Sequence, residues 1–183
     1  ADASNLPAYL YLLEKKYSQD FSNITDTIKS IAPFFDKFIL RPSPLKPDSI
    51  QLEWKHKNSD NYFNANSLSD GTLRFICLAT LLLQPAERMP TTILLDEPEL
   101  GLHPAAIQLL ANLLKSAATR TQVIVSTQSV TLINQLKPES IIVVSRTEDQ
   151  SFFKKLTPDD LGAWLEDYGV GDMWEKNIIG GRP

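Results

Sequence analysis

Two consecutive carboxylates, Asp96 and Glu97, close the apolar run Thr92-Ile-Leu-Leu. In an open α/β sheet ligands bind beyond the carboxyl ends of the strands, so a strand that ends on two charges delivers them to such a crevice. Neighbouring residues leaving a strand point in different directions, which opens two separate jobs. One carboxylate, Asp96, can hold a Mg2+ through its water shell; the next, Glu97, can take a proton from an attacking water. The rival reading makes them N-terminal caps of the following helix. Pro98 and Gly101 intervene before that helix, which the pattern starts near Pro104.

A second group, Ser67-Leu-Ser69-Asp70-Gly71-Thr72, stands directly ahead of the apolar stretch Leu73 to Leu83. Small residues before a helix let backbone N–H groups come close to an anion, and the helix N-terminus adds partial positive charge. Capping by Ser69 or Asp70 explains the same residues without a ligand. The anion reading gains from order along the chain, because only one helix and a connector separate this loop from Asp96 and Glu97.

These groups need a scaffold, and the spacing of apolar residues supplies one. Helical recurrence runs from Leu6 to Leu13 and again from Ile24 to Phe38. Three prolines in Arg41-Pro-Ser-Pro-Leu-Lys-Pro47 mark a connector. Ile50, Leu52 and Trp54 alternate with polar residues as one strand, paired with another around Tyr62 and Phe63. Helices are expected over Thr72 to Leu83 and Pro104 to Ala117, with β runs at Thr92 to Leu95, Val123 to Val125 and Ile141 to Val144. Helices between strands are what a parallel sheet requires, so the three β runs are expected as neighbours in one mostly parallel sheet. Runs that are apolar throughout imply strands covered on both faces. The tail, with Phe152, Phe153, Leu161, Trp164, Leu165, Tyr168 and Trp174, reads as an edge strand and a packed helix.

Composition bounds the rest. At 183 residues and 43% hydrophobic the chain can bury one substantial core, so one compact domain is expected overall. With 18 basic against 22 acidic residues and no dense Lys/Arg cluster, it offers no obvious phosphate-neutralising platform. The single cysteine, Cys77, sits in an apolar run where core packing explains it. No signal-peptide pattern and no apolar run of about 20 residues occur, which points to a cytoplasmic protein without membrane contact.

Leu68-Ser-Asp-Gly-Thr72 resembles the signature loop of ABC-type ATPases, and Ile93-Leu-Leu-Asp-Glu-Pro98 resembles their Walker B strand with its catalytic glutamate. Glu99-Leu-Gly-Leu-His-Pro104 resembles the D-loop of the RecF, SMC and OLD-nuclease branch, and the opening segment and closing Gly-Gly-Arg-Pro resemble predicted bacterial ATPases of that branch. The resemblance implies an α/β fold of the P-loop NTPase kind, a largely parallel sheet flanked by helices, forming the C-terminal lobe of an ABC-type head. A helical segment and connector would occupy residues 1–48 and the lobe residues 49–183. It implies ATP and Mg2+ as ligands, with Asp96 supporting the metal and Glu97 acting as general base. Ser69, Asp70 and Gly71 would meet the γ-phosphate of a nucleotide held by a second head, and Gly101 and His103 would lie where two heads meet. The chain departs from the pattern at Gln128, in Ile124-Val-Ser-Thr-Gln128-Ser129, where the switch loop usually ends in histidine. A neutral amide can orient water and touch a phosphate, but it cannot become an imidazolium.

No Gly-x-x-x-x-Gly-Lys-Ser/Thr loop occurs in the sequence. Without it the phosphates lose a lysine and a ring of backbone donors. The chain reads as a fragment or as one subunit of a split head whose partners are the Walker A half and a second head, a homodimer; DNA is admitted as a further partner. The expected function is ATP hydrolysis in DNA repair, chromosome maintenance or phage defence, inactive in the isolated chain. The alternatives are a non-catalytic nucleotide clamp, and a metal-dependent nuclease or phosphatase built on Asp96 and Glu97, which would need more clustered ligands than the sequence offers.

Overall fold

In the computed structural model two of the helices, those over Ser18–Ile31 and Asp70–Leu83, end just before a proline. The model describes residues 4–44, 46, 48–162 and 168–181. Helix α1 spans Leu6–Lys16 and α2 Ser18–Ile31. Ala32 precedes Pro33, a position biased away from helix, so α2 stops there and the backbone becomes strand β1, Phe35–Pro42. The expected helix from Ile24 to Phe38 is therefore half strand. Its apolar residues Phe35 and Phe38 stay buried, but on a strand face. β1 pairs antiparallel with β2, Ile50–His56, which pairs with β3, Tyr62–Asn64. Trp54 stacks on Phe35 and Phe63 at centroid distances of 6.0 and 5.1 Å. The His56 ring stacks on Phe34 at a centroid distance of 5.9 Å.

Helix α3, Asp70–Leu83, begins at the Ser69 cap and ends before Pro85. Strand β4, Thr92–Asp96, helix α4, Pro104–Ala117, and strand β5, Gln122–Ser126, come next along the chain. Pro104 occupies the first turn of α4, where its missing N–H costs nothing. β4 and β5 form a two-stranded sheet. The Gln122 N–H donates to the Thr91 carbonyl and the Thr92 hydroxyl to the Gln122 side chain, so the strands start side by side and run parallel.

The contacts divide the chain into two units, Ala1–Ile124 and Val125–Pro183. This boundary falls inside β5. The opening helices belong to the first unit because α1 and α2 pack on β1, β2 and α3. Leu10, Leu13, Ile24, Ile28, Phe35, Phe75, Ile76, Leu82 and Leu110 form the buried interior of the first unit. Cys77 is half-buried there, and burial pushes its thiol up.

In the second unit α5, Val130–Ile133, precedes the hairpin β6, Ile142–Thr147, and β7, Gln150–Lys155; α6, Pro158–Leu161, and α7, Val170–Glu175, complete it. Ile133, Val143, Leu156, Leu161, Val170 and Met173 make its core. β6 pairs antiparallel with β7 in a sheet of its own, not in a three-stranded sheet with β4 and β5. The hairpin itself is set locally: Glu148 and Asp149 both take positive φ, a tight reversal that sends the chain straight back. The expected edge strand and packed helix are present as β7 and α7, while Trp164, Leu165 and the Arg182-Pro183 end lie outside the described residues. Among the described residues no helix is long and apolar enough to cross a membrane.

Candidate functional site

Asp96 is the last residue of β4 and is exposed. Glu97 comes next, half-buried, with φ +43. A non-glycine residue in the left-handed region costs roughly 1–2 kcal/mol, and a residue before proline is biased toward extended backbone, so Glu97 is held there by its surroundings. The Leu100 N–H donates to the Glu97 carbonyl at 3.2 Å, and the Leu102 N–H to the Glu99 carbonyl at 2.9 Å. These two bonds curl residues 97–102 into a compact loop. Gly101, at φ +79, supplies the turn that most side chains resist.

His103 then caps α4: its Nδ1 accepts from the Ala105 N–H at 3.3 Å and its ring is exposed. The capping reading of Asp96 and Glu97 thereby loses its helix, because the cap of α4 is His103. Ser69 does cap. Its hydroxyl accepts from the Thr72 N–H at 3.2 Å and lies 2.9 Å from the Thr72 hydroxyl. Asp70 opens the first turn of α3 and favours the positive end of the helix. Ser69 and Asp70 are exposed and Gly71 is half-buried.

The two loops meet in the first unit. A Cβ placed on Gly71 would overlap the Gly101 carbonyl oxygen, so only glycine lets the start of α3 lie against the loop after β4. A second link is Arg74, one turn further along α3, whose guanidinium donates to the Glu97 carbonyl at 3.3 Å. Arg74 is not among the residues that the sequence motifs single out. The available signal was its spacing: three residues after Gly71, it shares that helix face. Glu99 was also passed over; it is only 6% exposed and sits inside the curled loop.

Gln128 belongs to the second unit, two residues past the end of β5, exposed, and ahead of the Ser129 cap of α5. Among the described residues no group of three or more His, Cys, Asp and Glu could hold a metal ion. One exposed carboxylate at a strand end fits Mg2+, which is held through one or two protein carboxylates, water and substrate phosphates.

The family model described as "AAA domain, putative AbiEii toxin, Type IV TA system" matches residues 3–134. No curated protein matches the chain. Among solved structures, one from work on ATP-driven dimerization and DNA-stimulated activation of SMC ATPases aligns with a TM-score of 0.62 and 19% identity, covering 86% of this chain and 96% of that one. The SmcHead bound to the C-winged helix domain of ScpA aligns at 0.64 and 19%, over 85% of this chain and 47% of that one. The Smc head domain with an extended coiled coil from Pyrococcus furiosus, bound to the C-terminal domain of ScpA, aligns at 0.64 and 20%, over 86% of this chain and 39% of that one. The chain thus spans less than half of these two heads and nearly all of the first structure. The likeness establishes the fold, an α/β P-loop NTPase fold of the SMC-head type.

Proposed function

The chain belongs to the family described as "AAA domain, putative AbiEii toxin, Type IV TA system", and we propose that it is the signature-bearing half of an ATP-hydrolysing head that works as a dimer. The observation that carries this reading is the meeting of the Ser69–Gly71 loop with the loop after Asp96 and Glu97 through Gly71 and Gly101. That contact sets the loop proposed to meet the second head's nucleotide against the loop proposed to act on this head's own, so the two sites of a dimer would be linked through one chain. Glu97 would take a proton from a water as that water attacks the γ-phosphorus of ATP. The bond to the bridging oxygen breaks, and ADP leaves with the electron pair. Asp96 would hold Mg2+, which when bound neutralises phosphate charge. Ser69, Asp70 and Gly71 would face the nucleotide of a second head, with Gly101 and His103 at the interface. Gln128 would orient water or touch phosphate as a neutral amide. The Walker A half, the second head and a role in DNA repair, chromosome maintenance or phage defence belong to this proposal, as does a cytoplasmic setting.

The test uses the head assembled from this chain and its Walker A half. Glu97→Gln keeps shape and reach but removes the basic site, so ATP binding should persist while turnover falls on the order of 10²- to 10⁴-fold. The dimer should then accumulate with ATP inside. Asp96→Asn should act earlier, by weakening nucleotide binding itself. Turnover and sedimentation at saturating Mg-ATP distinguish the two. A Glu97→Gln head that hydrolyses within a few-fold of the parent removes Glu97 as base and leaves the clamp reading standing.

A further inference from the structure

The carbonyl of Glu97 accepts two hydrogen bonds, one from the Leu100 N–H at 3.2 Å and one from Arg74 Nη1 at 3.3 Å. The first closes the loop on itself. The second comes from α3, twenty-three residues earlier in the chain. Glu97 needs such restraint, since it carries φ +43 and precedes Pro98. Two donors use both lone pairs of one oxygen, which fixes the peptide plane that follows Glu97 and with it the direction in which its side chain leaves the backbone. Arg74 is otherwise an exposed side chain on a helix whose buried face is Phe75, Ile76, Leu78, Ala79 and Leu82, so the core does not require it.

We propose that Arg74 is a positioning residue for hydrolysis: its guanidinium holds the Glu97 peptide in the unfavourable conformation that aims the Glu97 carboxylate at the attacking water. The proposal rests on the reading of Glu97 as general base. It has a consequence for coupling. Arg74 stands one turn past Gly71 on the same helix, so a shift of the Ser69–Gly71 loop on meeting a ligand is felt at the Glu97 carbonyl of the same chain. An arginine suits this role because its planar fork reaches a carbonyl with little loss of freedom per bond.

Two measurements test it. In the chain as it stands, Arg74→Met keeps the aliphatic stem and removes the donors; the Leu100 amide should exchange with solvent several-fold faster while the thermal unfolding midpoint stays put. In the head assembled with its Walker A half, Arg74→Met should lower kcat on the order of 10- to 100-fold with KM for ATP and ATP-driven dimerisation unchanged, as misplacement of a catalytic group does. Arg74→Lys should recover part of the loss, since an ammonium can supply one bond. In a Glu97→Gln background, Arg74→Met should add nothing. Parent-like turnover or parent-like Leu100 exchange in Arg74→Met overturns the proposal, as does a loss that multiplies with that of Glu97→Gln. If Glu97→Gln itself turns over like the parent, the base reading fails and the positioning role fails with it; if Glu97→Gln stops turnover and Arg74→Met does not, only the positioning role fails.

Discussion

Gly71 and Gly101 touch each other, yet each needs to be glycine for a different physical reason. Gly101 has φ +79 and open space where a Cβ would go, so Gly101→Ala should cost only its backbone strain, about 1 kcal/mol. Gly71 has ordinary φ, and its Cβ would run into a backbone carbonyl that cannot rotate aside. Gly71→Ala should therefore cost more, about 2–3 kcal/mol, the range of an overpacked contact. Urea unfolding of the chain with each variant ranks them; equal costs would mean that α3 and the loop after β4 do not lie in contact. The places of the candidate residues were legible from type and order, since Asp96 and Glu97 close the apolar run that forms β4 and Ser69 precedes and caps α3. Arg74 was not, because its partner is a main-chain carbonyl, and a carbonyl carries no sequence signature.

Helices with a clear start signal were legible with little error. Pro104–Ala117 was recovered as expected, and the helix expected from Thr72 begins two residues earlier at Asp70, where the Ser69 cap places it. The failure lay where periods coincide: Ile31 and Phe35 are four apart as on a helix, but Pro33 between them ends one element and Phe35 starts the next. The antiparallel β6–β7 hairpin was likewise hidden, because an apolar run says that a strand is buried and not which strand it meets. A short-range electrostatic cluster sits just beyond this hairpin. Asp160 in α6 accepts from the Thr157 N–H at 2.9 Å and hydroxyl at 2.7 Å, and Lys154 of β7 lies 2.7 Å away. These partners, Lys154 first, lower its pKa to about 2. A carboxylate with a depressed folded pKa stabilises the fold above its unfolded value near 4, and that contribution disappears as pH falls toward 2. An NMR titration of the Asp160 carboxyl should show a midpoint near 2 in the parent and a clearly higher one in Lys154→Met. An unmoved midpoint would leave Thr157 as the sole cause.

At the scale of the whole molecule, apolar surface and absent chemistry point the same way. The sequence implied strands covered on both faces, but in the first unit Leu94 is 75% exposed and Ile124 46% exposed, and in the second Ile142 is 58% and Phe153 72% exposed. Each side chain of this size is worth roughly 1.5–3 kcal/mol when buried, so these strands carry more apolar character than the chain alone uses. That excess supports a reading in which another polypeptide segment, the proposed Walker A half, covers them. The same division of labour governs nucleotide affinity. Most phosphate contacts in such heads come from a Gly-rich loop and its lysine, and no such loop occurs among the 183 residues. What the chain does offer at the end of β4 is two carboxylates, which repel a polyphosphate unless a cation intervenes. The chain alone should therefore bind Mg-ATP no more tightly than about 1 mM, near −4 kcal/mol, and should hydrolyse none above background. Adding the Walker A half should bring micromolar affinity, near −8 kcal/mol, because the missing donors then face the β- and γ-phosphates. Isothermal titration of the chain with Mg-ATP, with and without that half, measures the difference directly. Submicromolar binding by the chain alone would show that its nucleotide site is already complete, and the two-part head would have to be abandoned.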